Sequence, residues 1–149
     1  MNDTAFEYMV RAIERIESDQ LSGSHIEGIF GRVASEFEKR VRRYLRAALA
    51  TCDLDYEKDL RKTISGHAFN RPTLGQCHAT LREAASKSPS MAAICTPAGW
   101  ALADFLTAIA EVNQAWVEVK HGNDVDPSLL LSRMKLLRTI SPVIGEAVK

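Results

Sequence analysis

Charge of one sign is the first thing missing: nineteen Lys+Arg stand against nineteen Asp+Glu over 149 residues, a formal net charge of zero. Bulk attraction to a polyanion or an anionic membrane is thereby removed as an argument, and any basic surface has to be local. Cysteine is sparse. Cys52, Cys77 and Cys95 are odd in number, far apart and without a CxxC pair, so they suggest neither a disulfide framework nor a zinc knuckle and read as small buried apolar residues. Long apolar runs are missing too. The longest charge-free stretch, Ser88 to Ala103, contains Pro89, Pro97 and Gly99 and is too short and broken to span a bilayer. The amino terminus, Met1-Asn2-Asp3-Thr4, holds an acid and no base ahead of an amphipathic segment, unlike a secretory signal. A cytoplasmic location without membrane contact is the expectation.

Nucleotide-cofactor and metal signatures are equally absent. There is no P-loop and no GxGxxG, so no phosphate cradle opens a helix, and no cofactor is expected. His25, His67, His78 and His121 are isolated, with no HxxxH pair and no paired carboxylates at ligand spacing. Cys77 and His78 are adjacent, which on a helix turns them about 100° apart.

What is there is an ordinary globular composition, 46% hydrophobic and 26% charged, enough to fill a core of its own. Its length fits a single domain over residues 1–149, with an N-terminal helix in 1–22 and a bundle core over 24–145. Helical periodicity dominates and no hairpin pattern occurs, so the fold class is all-α, a bundle of four to five main helices. Phe6, Met9 or Val10, Ile13 and Ile16 make one stripe before Ser22-Gly23-Ser24. Ile26, Phe30, Val33, Phe37, Val41, Tyr44 and Ala48 make a longer one from about Ser24 to Ala50, although Gly28 and Gly31 place a possible start nearer Arg32. Residues 53–71 read as a loop with one short helix around Tyr56 to Ile64. A helix opens at Pro72-Thr73 and runs to about Ala85, another follows Thr96-Pro97 and stops at His121-Gly122, and the last begins at Asp126-Pro127 with Pro142 set to kink or interrupt it.

Two places offer chemistry. Arg32, Lys39, Arg42, Arg43 and Arg46 centre almost opposite the apolar stripe of the long helix, giving it one basic face. Such a stripe can track a phosphate backbone with salt-dependent affinity, but Tyr44, the only aromatic near it, falls on the apolar side. An ordinary solvated face, balanced by Glu36 and Glu38, has the same pattern. Farther on, Gln114, Glu118 and His121 share a polar face at a helix C-terminus, where the helix dipole and Glu118 favour the imidazolium. His121 there suits proton transfer, or simply a helix cap.

Three elements together resemble the HEPN superfamily of small helical domains: the helix ending Phe37-Glu38-Lys39-Arg40-Val41-Arg42-Arg43-Tyr44-Leu45, the opening Pro72-Thr73-Leu74-Gly75-Gln76, and Val112 to Gly122 closing in Lys120-His121-Gly122. The order and spacing cover about residues 24 to 145. The resemblance implies a four- or five-helix bundle, often dimeric, and in active members a metal-independent RNase whose Arg and His share a cleft at the dimer interface. His121 and Gly122 match the end of the family motif. The arginine that should precede His121 by four to seven residues is missing: Gln114, Ala115, Trp116 and Val117 stand there, and no arginine occurs between Arg82 and Arg133. Lys120 supplies a point charge in another direction rather than a bidentate guanidinium.

The leading expectation is therefore a non-catalytic HEPN-like module that acts through dimerisation, docking to a larger partner and contact with RNA or DNA along Arg32 to Arg46. The resemblance places such modules in bacterial defence and toxin systems. A second expectation is an RNase in which His121 is the acid or base, Glu118 or Gln114 orients it, and Arg133 or Arg42 of a partner subunit replaces the missing arginine. A third is a structural subunit whose last helix docks Leu129, Leu131, Leu136 and Ile140 into a partner groove.

Overall fold

The computed structural model describes residues 4–17, 23–50 and 71–147, and among these it holds six α-helices and no strand. They are α1 (Thr4–Glu17), α2 (Gly23–Leu49), α3 (Leu74–Ala85), α4 (Pro89–Ile94), α5 (Leu102–Lys120) and α6 (Pro127–Ala147). The chain is thus the all-α bundle that its periodicity demands. The central element is α2, which packs against α1, α3, α5 and most extensively α6; α1 also meets α6, and α5 meets α3 and α6.

Ile26, Phe30, Val33, Phe37, Val41, Tyr44 and Ala48 are all buried, and they form one continuous apolar face of α2. The helix starts at Gly23 and not near Arg32. Gly28 and Gly31 each cost it about 1 kcal/mol relative to Ala, whereas burying one Ile or Phe side chain contributes about 1.5–3 kcal/mol. Ile26, Ile29 and Phe30 together outweigh the two glycines. In α1, Met9, Ile13 and Ile16 are buried against this core while Val10 is half-buried. The expected short helix around Tyr56 to Ile64, like Cys52 and His67, lies outside the described residues.

Three helix starts differ from the sequence expectation. Thr73 is the N-cap of α3, its Oγ1 accepting from Gln76 N at 3.2 Å while Thr73 N donates to Gln76 Oε1 at 2.9 Å. Pro72 therefore precedes the cap instead of occupying the first turn. Thr96-Pro97 does not open α5 either. Thr96 Oγ1 donates back to Ala92 O at 2.6 Å, and Gly99 at φ +83° holds the chain in a turn until Leu102. Ser88-Pro89, by contrast, caps and opens the short α4, with Ser88 Oγ accepting from Met91 N at 3.1 Å.

Gly122 ends α5 at φ +74°, a conformation that side chains disfavour, and Asp126 Oδ1 accepts from Ser128 N at 2.9 Å to start α6. The last helix continues through Pro142 to Ala147, so the proline does not interrupt it. On α6, Ile140 is fully buried and Leu131 and Leu136 pack against the core, leaving Leu129 as the one member of the expected docking face that is exposed. No described helix is long and apolar enough to cross a membrane.

Candidate nucleic-acid interface

The five basic residues expected on one face of α2 divide into two groups. Arg32, Lys39, Arg43 and Arg46 are exposed and run along the helix for about 21 Å at 1.5 Å per residue. Lys39 is paired with Glu36 at 3.1 Å, a solvent-exposed pair of small energetic value. Arg42 has left the face. Its Nη2 pairs with Glu38 Oε1 and its Nε donates to Pro72 O at 2.8 Å, while Glu38 Oε2 accepts from Leu74 N at 3.1 Å. Glu38 and Arg42 thus clasp the entrance of α3, and a carboxylate at that helix N-terminus satisfies a backbone donor and opposes the helix dipole. Arg40, not marked out by the sequence pattern, is buried and donates to Ser141 O of α6 at 3.2 Å.

The aromatic that Tyr44 could not supply comes from α1. Tyr44 is buried, donates its hydroxyl to Ile94 O at 3.2 Å, and is pushed up to about 12 by burial and by the neighbouring Cys95. Tyr8 is exposed instead, with the Arg32 guanidinium carbon 4.4 Å from its ring centroid. Beside it a cleft of about 760 Å³ opens between α1 and α2, lined by Tyr8, Arg11, Ala12, Arg15, His25, Gly28 and Ile29. His25 and Gly28 lie on the same side of α2 as Arg32, so the cleft joins the N-terminal end of the basic face. Sequence reasoning missed Arg11, Arg15 and Tyr8 because they belong to another helix. The available signal was that all three fall off the Met9–Ile13–Ile16 stripe.

The second expected site is more dispersed. His121 caps α5, its backbone N–H donating to Val117 O at 3.0 Å, and both it and Gln114 are exposed. Glu118 Oε2 is engaged by Asn123 Nδ2 at 2.7 Å. Arg133 lies 3.6 Å from Glu111, whose position is about 15 Å along the helix axis from His121. Lys120 sits over the Trp116 ring at 5.1 Å. The structure therefore places Gln114, Glu118 and His121 along one helix, and Arg133, the arginine expected to join them, pairs with Glu111 instead.

Neither a family model, nor a curated protein, nor a solved structure matches this chain. Nucleophilic chemistry finds little support among the described residues. Cys77 is fully buried with its thiol pushed up to about 12, chiefly by burial, and Cys95 is also fully buried, as small apolar residues would be. His78 is half-buried and held below the usual histidine value by burial first and by the Arg82 charge second, with a hydrogen bond to the Leu106 backbone pulling the other way. No cluster of three metal-ligating side chains occurs among the described residues.

Proposed function

We propose that this chain is a non-catalytic, HEPN-like helical module that binds single-stranded nucleic acid along the outer face of α2. The observation that carries the reading is the continuity of exposed Arg32, Lys39, Arg43 and Arg46 with an exposed aromatic, Tyr8, at one end. A straight row of cations contacts successive phosphates, and an exposed ring offers a base something to stack on. Net neutrality is no obstacle, because four exposed basic residues are gathered on one side of one helix. The HEPN likeness adds a homodimer to the proposal, in which two such faces would multiply the contacts to one strand.

The test is fluorescence anisotropy of a labelled single-stranded RNA with the full chain over a salt series, comparing wild type with Lys39→Ala/Arg43→Ala/Arg46→Ala. Each lost phosphate contact on a single strand lowers the slope of log K against log salt by about 0.7, so the triple variant should flatten it by about 2. Binding that ignores salt, or a slope the triple variant leaves unchanged, removes the reading. Light scattering on the same sample reports the dimer.

A further inference from the structure

An outward helix face needs no cleft in order to follow a backbone, yet the cleft between α1 and α2 gathers a specific set of groups. Arg11 and Arg15 stand one turn apart on α1, His25 reaches in from α2, and Tyr8, Ala12 and Ile29 supply an apolar wall. Two guanidinium groups one turn apart on the same helix can each donate charged hydrogen bonds to a single dianion. Glu7 stands 3.7 Å from Arg11 in an exposed pair, which a multivalent anion can displace at little expense. No carboxylate belongs to the described lining of the cleft. Its volume of about 760 Å³ falls within the range of small-ligand sites.

Cations alone would suit any small anion. The apolar wall and the Tyr8 ring, already backed by Arg32 at 4.4 Å, suit a flat aromatic group attached to that anion. Gly28 keeps the space open, since a Cβ built there meets nothing within 4 Å. We propose that the cleft binds a nucleoside monophosphate, its phosphate held by Arg11 and Arg15 and its base laid against Tyr8. The same chemistry is offered by a free mononucleotide or by the phosphorylated end of a strand. For the second source the inference rests on the reading of α2 as a nucleic-acid surface.

Calorimetric titration of the full chain with AMP tests the site itself. Wild type should bind AMP, and adenosine should bind roughly tenfold more weakly or worse because the charged hydrogen bonds are lost. Arg15→Gln should cost a similar factor. Tyr8→Leu should weaken AMP while leaving inorganic phosphate unaffected. Gly28→Leu should abolish binding by filling the cleft, and because Leu is a better helix former than Gly, its circular dichroism and melting should remain those of a folded chain. No AMP binding, or AMP binding indifferent to Arg15→Gln and Gly28→Leu, overturns the proposal. With AMP binding established, a 5′-phosphorylated RNA that outcompetes its 5′-hydroxyl twin, with the advantage erased by Gly28→Leu, identifies the strand end as the source; equal binding identifies the free nucleotide. Failure of the α2 reading looks different, since Lys39→Ala/Arg43→Ala/Arg46→Ala would leave RNA affinity intact without touching AMP.

Discussion

Arg42 and Arg43 are neighbours in the chain and live in different environments. At the junction of α2 and α3, Arg42 is tied to a carboxylate and a carbonyl, with side-chain exposures of 21% for Arg42 and 14% for Glu38. On the outer face of the same helix Arg43 is exposed. About 100° of rotation separates them, which is the difference between facing α3 and facing water. A charged residue on an amphipathic helix is thus assigned to the fold or to a ligand by what packs beside it, and residue type alone does not decide.

The sharpest way to break this comparison is Arg42→Ala. It removes the charged partner of Glu38 and the bond to Pro72 O, leaving a half-buried carboxylate with only the Leu74 N–H, and hydrogen bonds to charged groups are each worth about 1.5–3 kcal/mol. We expect a loss of about 2–3 kcal/mol in urea unfolding, against a change within about 0.5 kcal/mol for Arg43→Ala. Equal effects would mean that the clasp does not hold α3.

The cap next to the clasp comes second. Thr73→Ala removes the acceptor of Gln76 N and should cost about 1 kcal/mol by the same measurement. If the clasp and cap secure one helix entrance together, Arg42→Ala/Thr73→Ala should depart from additivity, as neighbouring sites do.

Much of this architecture was legible in the sequence. The α2 stripe from Ile26 to Ala48 named its buried residues individually, because a central helix with one shared apolar face obeys its period strictly. Gly122 and Asp126-Pro127 were readable for a local reason, since each acts through its own backbone. Thr96-Pro97 and Ser88-Pro89 are nearly the same dipeptide, yet only the second starts a helix, and the choice lies in Gly99 and in the hydroxyl's return to Ala92. Of the candidate interface, Arg32, Lys39, Arg43 and Arg46 could be seen on one helix. Arg42's withdrawal depends on Pro72, thirty residues away, and the cleft depends on α1, so neither follows from the periodicity of α2.

A smaller effect concerns pH and the α3 side of the molecule. Because His78 is held below its ordinary value in the fold, the unfolded chain takes up its proton first as pH falls. Between the ordinary value near 6.5 and the lower folded value the unfolded state binds more protons, so stability rises with pH through that window and declines on acidification. His78→Gln should flatten the dependence of Tm on pH between about 7.5 and 5.5. A slope unchanged by the substitution would place the acid sensitivity elsewhere.

The smallest expected change in stability is at the outer face, and there the comparison turns into a statement about function. Arg43→Ala and Arg46→Ala remove exposed cations from a helix whose apolar face is untouched, so unfolding should move by no more than about 0.5 kcal/mol. A face kept solely for solubility would tolerate Arg43→Glu/Arg46→Glu with RNA affinity unaltered at every salt concentration. A face that meets phosphates would lose affinity more with Glu than with Ala, because reversal adds repulsion to a lost contact, and the gap between the two variants should close as salt screens it. That convergence at high salt, with the melting curves of both variants superimposed on wild type, is the signature that separates binding charge on Arg43 from folding charge on Arg42.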